Sequence, residues 1–453
     1  MILIAASLAF VLALAGDEMT PASAAGVEGR PPAATLSPLQ ARIDAAPEGS
    51  VLEIGPGTYR GDIFLDRRLT LRGRGRPLLQ GSGAGSVVLV RAAGVVLEGF
   101  DIDGGGGGDL GRDSSGIHVA VKHVTIRNCR ISNALFGIYL READGAAVER
   151  CRVRGIPGKD PGEKGSGIHV WNTDGYRLDG NLVEDVRDGF YIQSSPHGTI
   201  RHNTARDLRF GLHYMFSDDN LFEDNTFENG AAGTAIMYSK RIVFRRNRFL
   251  HNRGFASVGL LFKSCDDVTA EGNLIADNAR GIFLEGSYRC LFRGNVVAES
   301  DTAVVLYDSC GENRFVGNLF VGNMTPLTLV GRRTDTNFDG NYWSGNDEPD
   351  LDGDGRSDRP YRLSSVFDHF RGNLTAADLF TESFAAAALG AAERAFPVLE
   401  PVTVEDRLPL TRPPILPEVP RPPAAPRGAH AAGVLASAAA VAVGSVALWK
   451  GRR

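Results

Sequence analysis

Side chains able to do chemistry recur in this sequence at a nearly constant step. A short phrase returns as GIHV from Gly116, GIYL from Gly137, GIHV from Gly167, GFYI from Gly189 and GLHY from Gly211, with weaker copies from Gly233, Gly259, Gly281 and Ala303. Two places after the first residue stand His118, Tyr139, His169, Tyr191 and His213. Four places after it stand Ala120, Arg141, Trp171, Gln193, Met215, Met237, Lys263, Glu285 and Tyr307. Thioether and imidazole are soft or borderline ligands suited to Cu(I), so His213, Met215, Met237 and His169 are candidates for handling copper. The chain holds only 5 methionines, and two of them fall in this column. Methionine also packs under loops as plain apolar filling, and the residues alone leave both readings open.

The element that positions these columns follows from the period. Units about 22 residues apart, rich in Val, Ile, Phe and Tyr and separated by Gly, Asn, Asp and Ser, are strands and turns. Within each unit apolar residues alternate, as at Ile168 and Val170 or Phe190 and Ile192, which is the period of a strand. No unit is long enough to bury a face alone, so successive coils must stack. The expected fold is all-β, a right-handed parallel β-helix of the pectin-lyase type with about 22 residues per coil. Residues one coil apart then lie roughly 4.8 Å from each other. Both columns fall on the outer face, where His118, Tyr139, Trp171 and Tyr191 read as an exposed binding groove, an unusual composition for a solvated surface. A second column, Asn181, Asn203, Asn225, Asn247, Asn273 and Asn295, reads as a structural hydrogen-bonded ladder at turns that favour left-handed backbone.

The β-helix domain is expected over residues 35–375. Residues 35–48 should cap its first edge, and 155–166 form an insertion that explains the single step of 30 between Gly137 and Gly167. Near its end, Asp350, Asp352, Asp354 and Asp358 follow D-x-D-x-D-G-x-x-D, which resembles a calcium loop, although the twelfth-position Glu is replaced by Tyr361. A self-bonded acidic turn reads equally well. Residues 376–396 suggest a C-terminal capping helix, 397–428 a proline-rich extended linker, and 429–453 an uncharged apolar tail before a basic cluster, a possible transmembrane anchor. Residues 1–25 read as a secretory signal peptide, which predicts export. A formal net charge of −5 argues against nucleic acid as a partner. Cys129 and Cys151 are one coil apart and are expected to form a buried thiol stack rather than a disulfide.

One enzymatic alternative competes. A pectinase-type polysaccharide hydrolase or lyase would use carboxylates on such a groove, and Asp174 and Asp218 would lie about 9.6 Å apart, near the upper limit for an inverting pair. Both fall at turns, where Asp belongs for backbone reasons.

The stretches GLHYMFSDDN from Gly211, AIMYS from Ala235 and NYWSG followed by DLDGDGRSDRPY resemble the NosD family over about residues 35–375. The resemblance implies a non-catalytic periplasmic accessory protein for nitrous oxide reductase maturation in denitrification. It implies partners as well: an ABC-type ATPase with its membrane permease, a copper chaperone lipoprotein, and the reductase, whose copper–sulfide centre they help assemble.

Overall fold

In the computed structural model, residues 30–107, 113–254, 257–363 and 404–414 are described, with single residues 388, 418 and 420. The expected signal peptide, most of the capping helix, most of the linker and the apolar tail lie outside the described residues. The chain divides into units Met1–Leu416 and Pro417–Arg453, and the architecture below belongs to the first. Among the described residues no helix is long and apolar enough to cross a membrane.

Three sheets of fifteen, thirteen and twelve strands run the length of the domain, parallel except where Tyr361–Arg362 meets Glu405–Asp406, and a typical coil contributes one strand to each. A representative coil is Arg177–Asp179, Leu182–Glu184 and Asp188–Gln193. This is the right-handed parallel β-helix that the period predicts. The chain enters through a helix, Leu39–Ala45, whose Leu39 and Ile43 are buried. Gln40 covers the first open strand by donating to Phe64 O at 2.9 Å and accepting from Phe64 N at 2.8 Å.

Inward side chains stack in ladders because equivalent residues meet at every turn. Phe222 lies on Phe244 with ring centroids 4.6 Å apart, and Phe292 on Phe315 at 4.4 Å. The asparagine ladder forms as expected. Asn203 Nδ2 donates to Asn225 Oδ1 at 3.0 Å and to Leu178 O at 3.0 Å, so the buried amide is satisfied on both sides. The left-handed residue is the one before each asparagine: Gly180, His202, Asp224 and Arg246 all have φ between 52° and 66°.

The ladder extends past its predicted end to Asn318 and Asn341 and closes on Asp406. The Asp406 carboxylate accepts from Gly340 N and Asn341 N at 3.0 Å, Asn341 Nδ2 at 2.8 Å and Trp343 Nε1 at 3.0 Å. Part of the proline-rich stretch 397–428, read as an extended linker, is therefore packed on the end of the stack. Glu405–Asp406 pairs with Phe338 of the first sheet and with Tyr361–Arg362. The physical reason is that the last asparagine of a stack needs an acceptor, and a carboxylate with four lone-pair sites supplies it.

All five cysteines are free and buried. Cys129 and Cys151 stack in adjacent coils, their sulfurs donating to Arg127 O at 3.4 Å and Glu149 O at 3.5 Å. Burial pushes the Cys265 and Cys290 thiols up to about 12, well away from thiolate chemistry.

Candidate functional site

The third sheet carries both chemical columns in the predicted register. Tyr139 pairs with His118 and His169, Tyr191 with His169 and His213, and Gln193 with Met215. Met215 stands directly opposite Met237, followed by Lys263 and Glu285. The two columns differ sharply in exposure.

The first column is closed, which corrects the expectation of an exposed groove at His118, Tyr139 and Tyr191. His118, Tyr139, His169, Tyr191 and His213 retain between 1% and 8% of their accessible surface. Their rings stack on one another, His169 lying 4.4 Å from both Tyr139 and Tyr191. Residues before three of the repeat glycines, Phe136, Asp188 and Phe210, fold over them. Phe136 meets Tyr139 and His169 edge-on at 5.5 and 5.4 Å, and Phe210 meets His213 at 5.2 Å. Burial, helped by Arg91 and Arg141 beside one ring and by Arg187 beside the other, holds His118 and His169 down to about 3. Both are neutral imidazoles at physiological pH.

Asp188 occupies the same pre-glycine position and is a candidate site residue that the sequence reading missed. It has no exposed surface. Arg209 grips it through two hydrogen bonds of 2.9 and 2.8 Å, Arg187 stands at 3.5 Å, and His213 Nδ1 lies 3.4 Å from Oδ2. Burial alone would raise its pKa, but the His213 and Arg209 contacts more than reverse this and hold the carboxyl well below the usual range. The available signal was an Asp where neighbouring coils place Phe136 and Phe210, flanked by Arg187. With Nδ1 turned toward Asp188, His213 Nε2 is buried without a hydrogen-bond partner. A carboxylate that orients a histidine through one ring nitrogen is an arrangement that metal-binding histidines use.

The second column is more open, but not at every position: Trp171, Gln193 and Met215 are partly exposed, whereas Met237 is buried, retaining 6% of its surface. Arg141 lies over the Trp171 ring at 4.9 Å, and Lys263 pairs with Glu285 at 3.1 Å. The structure thus brings His213, Met215 and Met237 onto adjoining strands of one face. His169 is set apart, sandwiched between tyrosines. The residues present fit a soft monovalent metal: two uncharged thioethers side by side and an orphaned imidazole nitrogen.

The carboxylates of the enzymatic alternative are placed elsewhere. Asp174 bonds His197 Nδ1 at 2.8 Å, His197 Nε2 lies 4.0 Å from Asp219, and Arg241 holds Asp219 at 2.8 Å and Asp218 at 3.1 Å. The same set recurs at the neighbouring corner, where Asp179 bonds His202 at 2.9 Å, His202 lies 4.0 Å from Asp224, and Arg246 holds Asp224 at 2.9 Å. His197, Asp219 and Arg241, like His202, Asp224 and Arg246, are all left-handed turn residues. A constellation repeated at successive corners is a ladder of turn side chains, and with Asp174 more than half exposed nothing excludes water from it.

In the acidic loop, Asp350, Asp352 and Asp358 bring oxygens within 4.8 Å of one another, whereas Asp354 does not join them. Asp350 accepts from Gly353 N at 2.7 Å and Gly355 N at 3.0 Å, and Asp354 from Arg356 N at 2.8 Å. The turn is thus self-bonded, with three carboxylates clustered on it.

A family model described as periplasmic copper-binding protein (NosD) matches residues 155–348, and one for right-handed β-helix regions matches 86–218. The "Probable ABC transporter binding protein NosD" of Pseudomonas aeruginosa is 32% identical over 380 residues, 80% of this chain and 88% of that protein. Its namesake in Stutzerimonas stutzeri is 30% identical over 406 residues, 85% of this chain and 91% of the relative. Among solved structures, the A-module of mannuronan C-5 epimerase AlgE6 from Azotobacter vinelandii is similar with a TM-score of 0.55 at 16% identity, covering 66% of this chain and 94% of the other. At that identity the likeness is one of fold alone.

Proposed function

The chain belongs to the NosD family, and we propose that it is a non-catalytic periplasmic accessory protein that receives and passes on Cu(I) during assembly of the copper centre of nitrous oxide reductase. In this reading a copper chaperone lipoprotein delivers the ion, and an ABC-type ATPase with its membrane permease works alongside. The observation that carries the copper part is the register of Met215 opposite Met237 on the strand next to His213, whose Nε2 has no partner. Both sulfurs are neutral, so they bind Cu(I) without a proton being released, and the partly open column leaves the ion exchangeable. The Asp188 carboxylate holds the His213 ring in one tautomer. A transfer step needs such weak, accessible ligation, unlike the closed four-ligand site of a structural metal.

The names of the relatives as binding proteins support a carrier rather than an enzyme. The Asp350, Asp352 and Asp358 cluster is the place for a structural calcium ion, with a role in stiffening the end of the helix. Anaerobic titration of the purified chain with Cu(I) against a competing chelator tests the copper assignment. Binding is expected to be lost in the Met215→Leu/Met237→Leu double variant. Unchanged binding, or unchanged copper content in reductase matured with that variant, would overturn it and leave only a docking role.

A further inference from the structure

Arginine in this protein is usually committed to a carboxylate. Arg127 holds Glu98 at 3.0 Å, Arg206 holds Glu184 at 2.8 Å, Arg177 holds Glu149 at 2.6 Å and Arg293 holds Glu271 at 2.7 Å. Three arginines on the outer face of the second sheet depart from this. Arg130 and Arg152 stand directly opposite each other on neighbouring strands, are exposed, and make no ion pair among the described residues. Arg154 lies two residues along from Arg152 and reaches only Asp185, at 3.9 Å. That carboxylate is already held by Lys164 at 2.6 Å. Like charges directly opposite on adjacent strands repel, a cost offset only in part by Asp101, which faces Arg130 from its other side, and by Glu184, which faces Arg154.

All three side chains line one open concavity of about 340 Å³, together with Ser132. Two carboxylates line it as well, Asp101 in register with Arg130 and Glu184 with Arg154, and each is held by another arginine, Asp101 by Arg76 at 3.0 Å and Glu184 by Arg206 at 2.8 Å. Guanidinium groups rooted roughly 4.8 Å apart can each fork a separate edge of one tetrahedral anion. A third guanidinium and a hydroxyl donor stand beside them. We propose that Arg130, Arg152 and Arg154 form a binding site for a tetrahedral oxyanion, phosphate or sulfate, either free or carried as the phosphate of a lipid headgroup. The site is on a different sheet from the methionines, and it does not depend on the copper reading.

Calorimetric titration of the full chain with inorganic phosphate, and separately with sulfate, at fixed ionic strength tests this. The wild type is expected to bind one anion with a Kd of about 0.1–1 mM. Arg130→Gln/Arg152→Gln should weaken this at least about tenfold. Arg248→Gln should not, since it removes an exposed arginine of the same face that lies outside the concavity. No saturable binding by the wild type, or equal binding by the double variant, overturns the proposal. Without anion, Arg152→Gln alone should raise Tm at low salt and abolish the rise that phosphate produces. A fall in Tm instead would mark Arg152 as structural and count against the site. Flotation with phosphatidylglycerol vesicles, compared with neutral phosphatidylcholine, separates the two sources. Capture that free phosphate competes away assigns the site to a headgroup, whereas retained phosphate binding without capture assigns it to the free ion.

Discussion

Two columns two residues apart on the same strands meet opposite fates. His118, Tyr139, His169, Tyr191 and His213 are sealed, while Trp171, Gln193 and Met215 remain partly open. Strand alternation puts both on the outer face, so alternation does not decide exposure. The cover comes from the pre-glycine residues Phe136, Asp188 and Phe210, which reach the first column and stop short of the second. The sealed column then acts as a second core outside the coil, held by ring stacking and by one buried charge cluster. The second column keeps Trp171, Gln193 and Met215 partly exposed, while Met237 is buried.

The largest effect expected from this contrast is at Asp188. Asp188→Ala leaves Arg209, and the His213 ring beside it, without their buried counter-charge, and urea denaturation should show a loss of about 3–5 kcal/mol. A loss below about 1 kcal/mol would mean that the cluster is solvated and the column not sealed. The same carboxyl adds to the acid sensitivity of the protein. Its folded pKa is depressed below the ordinary value of 3.8, so its contribution is complete above that pH and disappears as pH falls further.

The buried histidines act at milder pH. His118 and His169 are held down to about 3 from the ordinary 6.5, so below pH 6.5 the unfolded chain binds protons that the folded chain refuses. Stability should therefore fall as pH drops from about 6.5 toward 3, by up to about 1.4 kcal/mol per pH unit for each histidine. His169→Phe should remove one histidine's share of that slope, read from denaturation curves between those limits. An unaltered slope would place His169 in contact with water.

Substitutions in the open column should cost less. Met215→Leu/Met237→Leu keeps the volume and should change stability by less than about 1.5 kcal/mol while removing Cu(I) binding, a separation of effects that no sealed position can give. The smallest effect is expected at Trp171. Trp171→Leu removes the Arg141 contact and should cost about 0.5–1 kcal/mol in thermal denaturation; a larger loss would show that the open column also carries the fold.

Much of this was legible because a solenoid turns sequence spacing into contact. The step of about 22 residues gave the register of Met215 on Met237, the stacking of Cys129 on Cys151 and the rungs Asn181 to Asn295. What was illegible lay between repeats. Asp188 belongs to no repeated pattern, since its position holds Phe136 in one coil and Ser166 in another. Asp406 sits in a proline-rich stretch that reads as linker, 65 residues beyond the Asn341 it caps.

By itself, then, the sequence determined the coil, its three-sided ladder and the order of side chains along each face, since periodic hydrophobic and turn residues dictate these locally and repeat them. Only the tertiary structure decided which outward side chains are covered, where the ladder ends, and that Arg130, Arg152 and Arg154 line one concavity. Those outcomes depend on how single, non-repeated side chains meet across coils and across distant chain segments, and no local pattern encodes such meetings.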